Sequence, residues 1–177
     1  MPEIIYAPFW YEERGFVFLS FKKRLCGLIL SDFQSSEIPL ITKTPIFKHL
    51  NRHLKSVILK KGKISPFQQT EQALRDYFSS QLTCFKLPLL LIGTPFQKMV
   101  WRALLDIPYG QTITYQSLAY KLNIPKATRA VAQACKSNPL PIIIPCHRVI
   151  GKKGLTGYSA GLAWKRFLLN IESLACL

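Results

Sequence analysis

Apolar positions along the chain change period twice. Phe16-Val17-Phe18-Leu19 and Leu25-Cys26-Gly27-Leu28-Ile29-Leu30 are strand-like runs around the basic Lys22-Lys23-Arg24, a spacing that predicts an antiparallel hairpin. Ile46, Leu50, Leu54 and Val57 then recur at helical spacing, with Thr44-Pro45 as cap and first turn and Gly62 as stop. A second helix is predicted over 66–81. The short apolar stretch Leu87-Pro88-Leu89-Leu90-Leu91, with Gly93 behind it, marks a junction, so the chain divides into 1–91, an α/β half, and 92–177.

Past the junction the texture becomes short helices and tight turns. Thr94-Pro95 starts a helix with Phe96, Val100, Trp101, Leu104 and Leu105 on its apolar face. Pro108-Tyr109-Gly110 is a turn, Thr114 caps a helix through Leu122, and Pro125 opens another to about Ser137. Two short helices joined by Asn123 to Pro125 resemble a helix-turn-helix, a geometry many small bundles share. Gly151-Lys152-Lys153-Gly154 reads as a basic hairpin or wing, and Gly161 to Glu172 as a final helix with Trp164, Phe167 and Leu168 inward.

Charge narrows the partners. The 24 Lys and Arg against nine Asp and Glu give a net +15, which points to a polyanion, nucleic acid before an anionic membrane surface. Residues 94–177 hold eleven basic and two acidic residues, the purer positive field. No apolar stretch approaches the roughly 20 residues that span a bilayer, and Pro2, Glu3, Glu12 and Glu13 spoil a signal peptide. An intracellular location is expected. The five cysteines, Cys26, Cys84, Cys135, Cys146 and Cys176, are an odd and widely spaced set, expected as free thiols, mostly buried and inert. His49 and His53 stand at i and i+4 without acidic or cysteine partners nearby, so they are read as solvated or half-buried side chains, and no metal is expected.

The sharpest chemical signal is Pro145-Cys146-His147-Arg148-Val149, directly after Ile142-Ile143-Ile144, which is expected as a buried strand. A thiol at the end of such a strand with an imidazole next to it suits nucleophilic chemistry, because the thiolate is the attacking form. Neighbouring side chains of an extended segment point opposite ways, so a water between Cys146 and His147 is expected instead of a direct ion pair. Of the two carboxylates after residue 93, Asp106 is far off in sequence. Glu172 ends the helix expected to pack here and is the candidate to orient His147, the alternative being an exposed C-terminal glutamate.

Together with Pro125-Lys126-Ala127-Thr128-Arg129-Ala130-Val131, Asn138-Pro139, Gly157-Tyr158-Ser159, Gly161-Leu162, Gly93-Thr94-Pro95-Phe96-Gln97 and Ile107-Pro108-Tyr109-Gly110-Gln111-Thr112, this segment resembles the O6-alkylguanine-DNA alkyltransferases over about 80 contiguous residues. Residues 1 to 90 share only general character with that family. The resemblance implies a ribonuclease-H-like α/β domain followed by a winged helix-turn-helix. It further implies irreversible, single-turnover transfer of an alkyl group from O6-alkylguanine, less well from O4-alkylthymine, in double-stranded DNA to Cys146, with no cofactor and the protein a monomer.

Position alone makes Tyr115 an amphipathic residue beside an N-cap and Arg129 a solvated or phosphate-bound side chain. The resemblance instead implies Tyr115 as proton donor to the leaving base and Arg129 as the side chain entering the gap left by a flipped nucleotide, from a helix lying in the minor groove. Small residues around it, Ala127 and Ala130 among them, permit close approach to DNA, with Gln116 and Lys152 as backbone contacts. Asn138 is implied as the hinge tying that helix to the cysteine loop, and Val149, Tyr158, Ser159 and Ala160 as the base pocket. Ala160 stands at a position that varies in the family, which leaves tolerance of bulky adducts open. Cys26 matches one zinc ligand of some animal members, but the histidine partners are absent. Two rival readings are a non-catalytic binder of alkyl lesions, against which the presence of Cys146 argues, and a winged-helix regulator with a sensing thiol.

Overall fold

A computed structural model describes residues 1–31 and 38–174. The chain forms two compact units, Met1–Gly93 and Thr94–Leu177, parting two residues beyond the boundary expected from the apolar stretch at Leu87. No helix among the described residues is long and apolar enough to cross a membrane.

The first unit is a four-stranded sheet in the order β3-β2-β1-β4, built from β1 (Glu3–Tyr11), β2 (Arg14–Phe21), β3 (Arg24–Ser31) and β4 (Ile58–Lys61). The expected hairpin is β2–β3, with Phe16 opposite Leu30 and Phe18 opposite Leu28. Lys22 and Lys23 carry it round the turn at φ 51° and 58°, the left-handed pair that matches strand twist. β1 was not anticipated, and it carries Pro8, a residue disfavoured in an inner strand. It is tolerated here because β4 pairs only with Glu3 to Tyr6, leaving Pro8 past the end of that parallel ladder.

Helices α1 (Ile38–Lys43), α2 (Pro45–Leu54) and α3 (Ser65–Phe78) complete the unit. Thr44 caps α2, its Oγ1 accepting from Phe47 N–H at 3.2 Å. The expectation that α2 runs past Val57 to a stop at Gly62 is corrected. Lys55 and Ser56 turn left-handed (φ 55° and 70°), Asn51 Oδ1 takes the Val57 N–H at 2.9 Å, and the chain leaves as β4. Ile4, Tyr6, Leu19 and Leu50 form the core between sheet and helix. The Leu87–Leu91 stretch returns beside β3, exchanging hydrogen bonds of 2.8 Å between Leu25 and Pro88 and between Leu90 and Leu25.

The second unit holds α4 (Pro95–Leu105), β5 (Ile113–Thr114), α5 (Tyr115–Lys121), a 3-10 turn at Pro125–Ala127, α6 (Thr128–Lys136), a second 3-10 turn at Cys146–Arg148, β6 (Val149–Ile150) and α7 (Leu162–Leu174). A complete capping box of Thr94 and Gln97 starts α4. Val100, Trp101 and Leu104 are buried as the periodicity requires, whereas Leu105 is 46% exposed, one step off the stripe. Trp101 Nε1 donates to Ala134 O at 2.8 Å and so locks α4 to α6. β5 and β6 form a two-residue parallel ladder, Ile113 with Val149 and Thr114 with Ile150. Gly151 and Gly154 close the basic turn with reciprocal bonds of 2.9 and 3.1 Å.

Candidate active site

Ile142, Ile143 and Ile144 are buried, but the expected strand is absent. Pro141 and Pro145 bracket the run, each without a donor for a ladder, and Ile142 takes φ 73°. A β-branched side chain in that region costs about 1–3 kcal/mol, which its packed surroundings offset. Cys146, His147 and Arg148 accordingly form one 3-10 turn, not an extended segment.

Asn138 holds this turn from the end of α6. It is 1% exposed; its Oδ1 accepts from Leu140 N–H at 3.0 Å, and its Nδ2 donates to Ile144 O at 2.8 Å and to Cys146 Sγ at 3.1 Å. Burial pushes the Cys146 thiol up to about 11, while the Asn138 donor and the Lys165 ammonium pull it down. The resting group is therefore a thiol, and a base must take its proton when the reaction starts.

His147 and Glu172 meet as the sequence reading required. Burial alone would raise the Glu172 carboxyl, but hydrogen bonds from His147 and Arg148 outweigh it and hold the group at about 2. An ionised carboxylate only accepts, so His147 Nε2 carries the proton donated to Glu172 Oε1 at 2.7 Å. Nδ1 is then the basic nitrogen, buried and with no hydrogen-bond partner among the described residues. Burial, opposed by Glu172, keeps the imidazole below its ordinary range and hence neutral. Arg148 was not singled out in the sequence, yet it grips the same carboxylate through Nε at 2.9 Å and Nη2 at 3.0 Å, and donates Nη1 to Ile107 O at 2.7 Å. Gly110, left-handed at φ 74°, adds its N–H at 3.1 Å.

A cavity of about 390 Å³ opens onto Cys146, lined also by Tyr115, Ala132, Gln133, Cys135, Lys136, Thr156, Gly157, Tyr158 and Ser159. Tyr115 begins α5 directly after the Thr114 cap. Burial and the two neighbouring thiols push its hydroxyl up to about 12, so it keeps its proton at neutral pH. Tyr158 turns a buried hydroxyl inward, and its ionisation is pushed well up by burial and by Cys146. Val149 and Ala160 do not line the cavity. The Val149 side chain is fully buried, and its carbonyl accepts from Lys165 Nζ at 2.6 Å.

The residues expected from the sequence to contact DNA lie on the surface: Arg129 and Ala130 on α6, Gln116 on α5 and Lys152 on the basic turn are exposed, and Ala127 half-buried. Sequence reasoning missed Lys165, although Lys165, Leu168 and Glu172 share one face of α7 at i, i+3 and i+7. It also missed Cys135 as part of the cavity. Cys26, Cys84, Cys135 and Cys146 are free thiols, with Cys84 exposed; Cys176 lies outside the described residues. His49 is more buried than expected, donating Nε2 to Ile92 O at 2.7 Å.

A buried thiol lining a cavity, next in sequence to the histidine of a His–Glu pair, suits an acceptor of transferred groups, and the comparisons with known proteins give the family. The family described as 6-O-methylguanine DNA methyltransferase, DNA binding domain, matches residues 95–174. A methylated-DNA--protein-cysteine methyltransferase of Methanosarcina barkeri is 52% identical over 107 residues, 60% of this chain and 68% of its own length. The constitutive enzyme of that name from Bacillus subtilis is 50% identical over 109 residues, covering 60% of this chain and 66% of the relative. Among solved structures, Mycobacterium tuberculosis OGT in complex with DNA has a TM-score of 0.76 at 33% identity, covering 97% of this chain and 94% of the other. An O6-methylguanine-DNA methyltransferase from Pyrococcus kodakaraensis has a TM-score of 0.73 at 31% identity, covering 96% and 98%. The chain belongs to the O6-methylguanine-DNA methyltransferase family.

Proposed function

We propose that this protein repairs DNA by moving an alkyl group, methyl first among them, from O6 of guanine to Cys146 Sγ, once per molecule. The observation that carries this reading is Cys146 at the floor of a cavity, with Asn138 Nδ2 at 3.1 Å from its sulfur. Homologues named methylated-DNA--protein-cysteine methyltransferase and a solved relative in complex with DNA support it.

In the proposed mechanism His147 Nδ1 takes the thiol proton through a water, and Glu172 stabilises the imidazolium that results. The sulfur attacks the alkyl carbon; the S–C bond forms as the C–O6 bond breaks, and the electron pair stays with guanine. Tyr115 gives its hydroxyl proton to the departing base, and the proton taken by His147 replaces it. The product is a thioether, which neither hydrolysis nor thiol exchange reverses, so the protein is consumed as an acceptor.

A base stacked in a duplex keeps its alkyl carbon away from a thiol that is 4% exposed, so the nucleotide must be extruded, at a cost of a few kcal/mol. We assign Arg129, exposed on α6, to the gap it leaves, with α6 in the minor groove. Ala127 and Ala130 allow close approach there, and Gln116 and Lys152 meet the backbone. Tyr158, Ser159 and the backbone near Cys146 and Val149 receive the base. In this reading the first unit is a ribonuclease-H-like domain, supported by three antiparallel strands followed by a parallel fourth. The second is a winged helix-turn-helix, supported by α5, α6 and the Gly151–Gly154 turn. The protein acts inside the cell as a monomer, and O4-alkylthymine is a poorer substrate.

The test is incubation with an oligonucleotide containing O6-methylguanine followed by peptide mass mapping. A methyl group on Cys146 and none in Cys146→Ser is the expected result. Lesion binding without transfer would leave only a binding role, and binding restricted to a particular operator sequence would point to a regulator.

A further inference from the structure

Lys165 is the one buried lysine among the described residues, fully withdrawn from water on α7. Its Nζ donates to Val149 O at 2.6 Å, Thr156 O at 2.9 Å and Gly157 O at 3.5 Å. An ammonium has three protons to donate, and here each is directed at a main-chain carbonyl. Val149 leads directly out of the turn that carries the nucleophile, whereas Thr156 and Gly157 line the cavity from the opposite segment. That segment, between the Gly151–Gly154 turn and α7, has no helix or strand to hold it, and Gly157 stands at φ 40°.

We propose that Lys165 is a positioning residue for the transfer: it ties the pocket wall at Thr156 and Gly157 to the cysteine turn and keeps a positive charge behind Cys146. The proposal rests on the alkyl-transfer reading and deepens it. Among the described residues Lys165 has no salt bridge, and its bonds go to neutral carbonyls. Three main-chain carbonyls satisfy the ammonium's donors. Burial pulls the Lys165 ammonium below its ordinary range and pushes the Cys146 thiol up, and against this Lys165 favours the thiolate while Cys146 and Cys135 favour the charged lysine. The two halves of the pocket therefore share one buried charge.

Lys165→Met keeps the length of the side chain and removes charge and donors. At each pH, two reactions of Cys146 are followed: alkylation by iodoacetamide, which needs only the thiolate, and transfer from an O6-methylguanine duplex, which needs the pocket as well. In the variant the pH midpoint of iodoacetamide alkylation rises by about one pH unit, as loss of a nearby opposite charge requires. Transfer slows further, by about 100-fold, the scale on which misplacement of about 1 Å acts. Affinity for unmodified duplex stays at the parent's value. A folded variant with the parental midpoint and transfer rate would overturn the proposal. Failure of the parent to transfer methyl would sink the repair reading alone, because the iodoacetamide midpoint still reports on Lys165. Should the variant not fold, the parent decides: the Lys165 ammonium gives a slowly exchanging proton–nitrogen resonance that moves when Cys146 is methylated or carboxamidomethylated. A resonance that stays fixed refutes the proposal.

Discussion

Asn138→Ala separates the two tasks of one side chain. Truncation leaves the buried Leu140 N–H without its acceptor, whereas Ile144 O keeps the Cys146 N–H at 2.8 Å and loses only a second donor. One orphaned donor at about 1–3 kcal/mol and one lost net bond at about 1 kcal/mol give a destabilisation of about 2–4 kcal/mol, measured by urea unfolding. The sulfur also loses its Nδ2 donor. A hydrogen bond to a charged acceptor contributes about 1.5–3 kcal/mol, so the pH midpoint for alkylation of Cys146 by iodoacetamide rises by about one to two pH units. Asn138→Ser is the control. Its hydroxyl can accept from Leu140 N–H two residues on but is too short to reach the sulfur, so much of the stability returns while the midpoint stays high. A midpoint for Asn138→Ser equal to the parent's would refute the direct action of Asn138 on the thiolate and reduce it to a tie between α6 and the cysteine turn.

Three further outcomes follow from the same geometry. Glu172→Gln leaves Arg148 as a buried cation without its counter-charge, which destabilises by about 3–5 kcal/mol, and it removes the carboxylate that orients His147, slowing single-turnover transfer by about 100- to 10,000-fold. Adding Arg148→Met removes the unpaired cation and restores part of the stability but not the rate, because the carboxylate is still missing; no recovery of stability would argue against Glu172 as the counter-charge of Arg148. Arg129→Ala slows repair of duplex by about 10- to 100-fold, the equivalent of the few kcal/mol of extrusion, and leaves reaction with free O6-benzylguanine unchanged; equal losses on both count against a role in flipping. The pH dependence of stability falls in two stages. His147 has a depressed folded pKa, so its contribution is complete above the unfolded value of about 6.5 and declines as the unfolded chain gains a proton below it. Glu172, at about 2 when folded, contributes above its unfolded value of about 4.3 and loses that contribution as pH falls towards 2. Urea midpoints that stay level from pH 7 to pH 4 contradict the first stage.

Much of the second unit was legible in the chain because its punctuation is local. Thr94-Pro95 and Thr114 each begin a helix within a residue of where the sequence places it, and caps and prolines act over one turn; at Pro125 the expected helix is preceded by a 3-10 turn and begins at Thr128. The first unit was harder. Val57 continues the apolar period of α2, but Asn51 reaches forward to its N–H and breaks the helix, a competition no periodicity records. β1 was missed, and it carries Pro8, whose tolerance depends on where a strand 50 residues later stops pairing. At the site, Cys146, His147 and Glu172 could be chosen from residue type and scarcity of acids. Arg148 and Lys165 could not, because a basic residue in a chain with 24 of them is ordinarily a solvated one, and burial alone marks these two as different.

The two-residue ladder of β5 and β6 sets Thr114 beside Ile150. Tyr115 follows one strand and the cysteine turn precedes the other, so main-chain hydrogen bonds fix the separation of the backbone at Tyr115 from that of the cysteine turn. The loop at Thr156 to Ser159 has no part in that ladder. Lys165 joins the Thr156 and Gly157 carbonyls to that of Val149, so pocket width and the cysteine turn are coupled through the main chain: in a library over residues 156–160, side-chain changes that preserve this tie are the ones expected to accept larger adducts without moving Cys146.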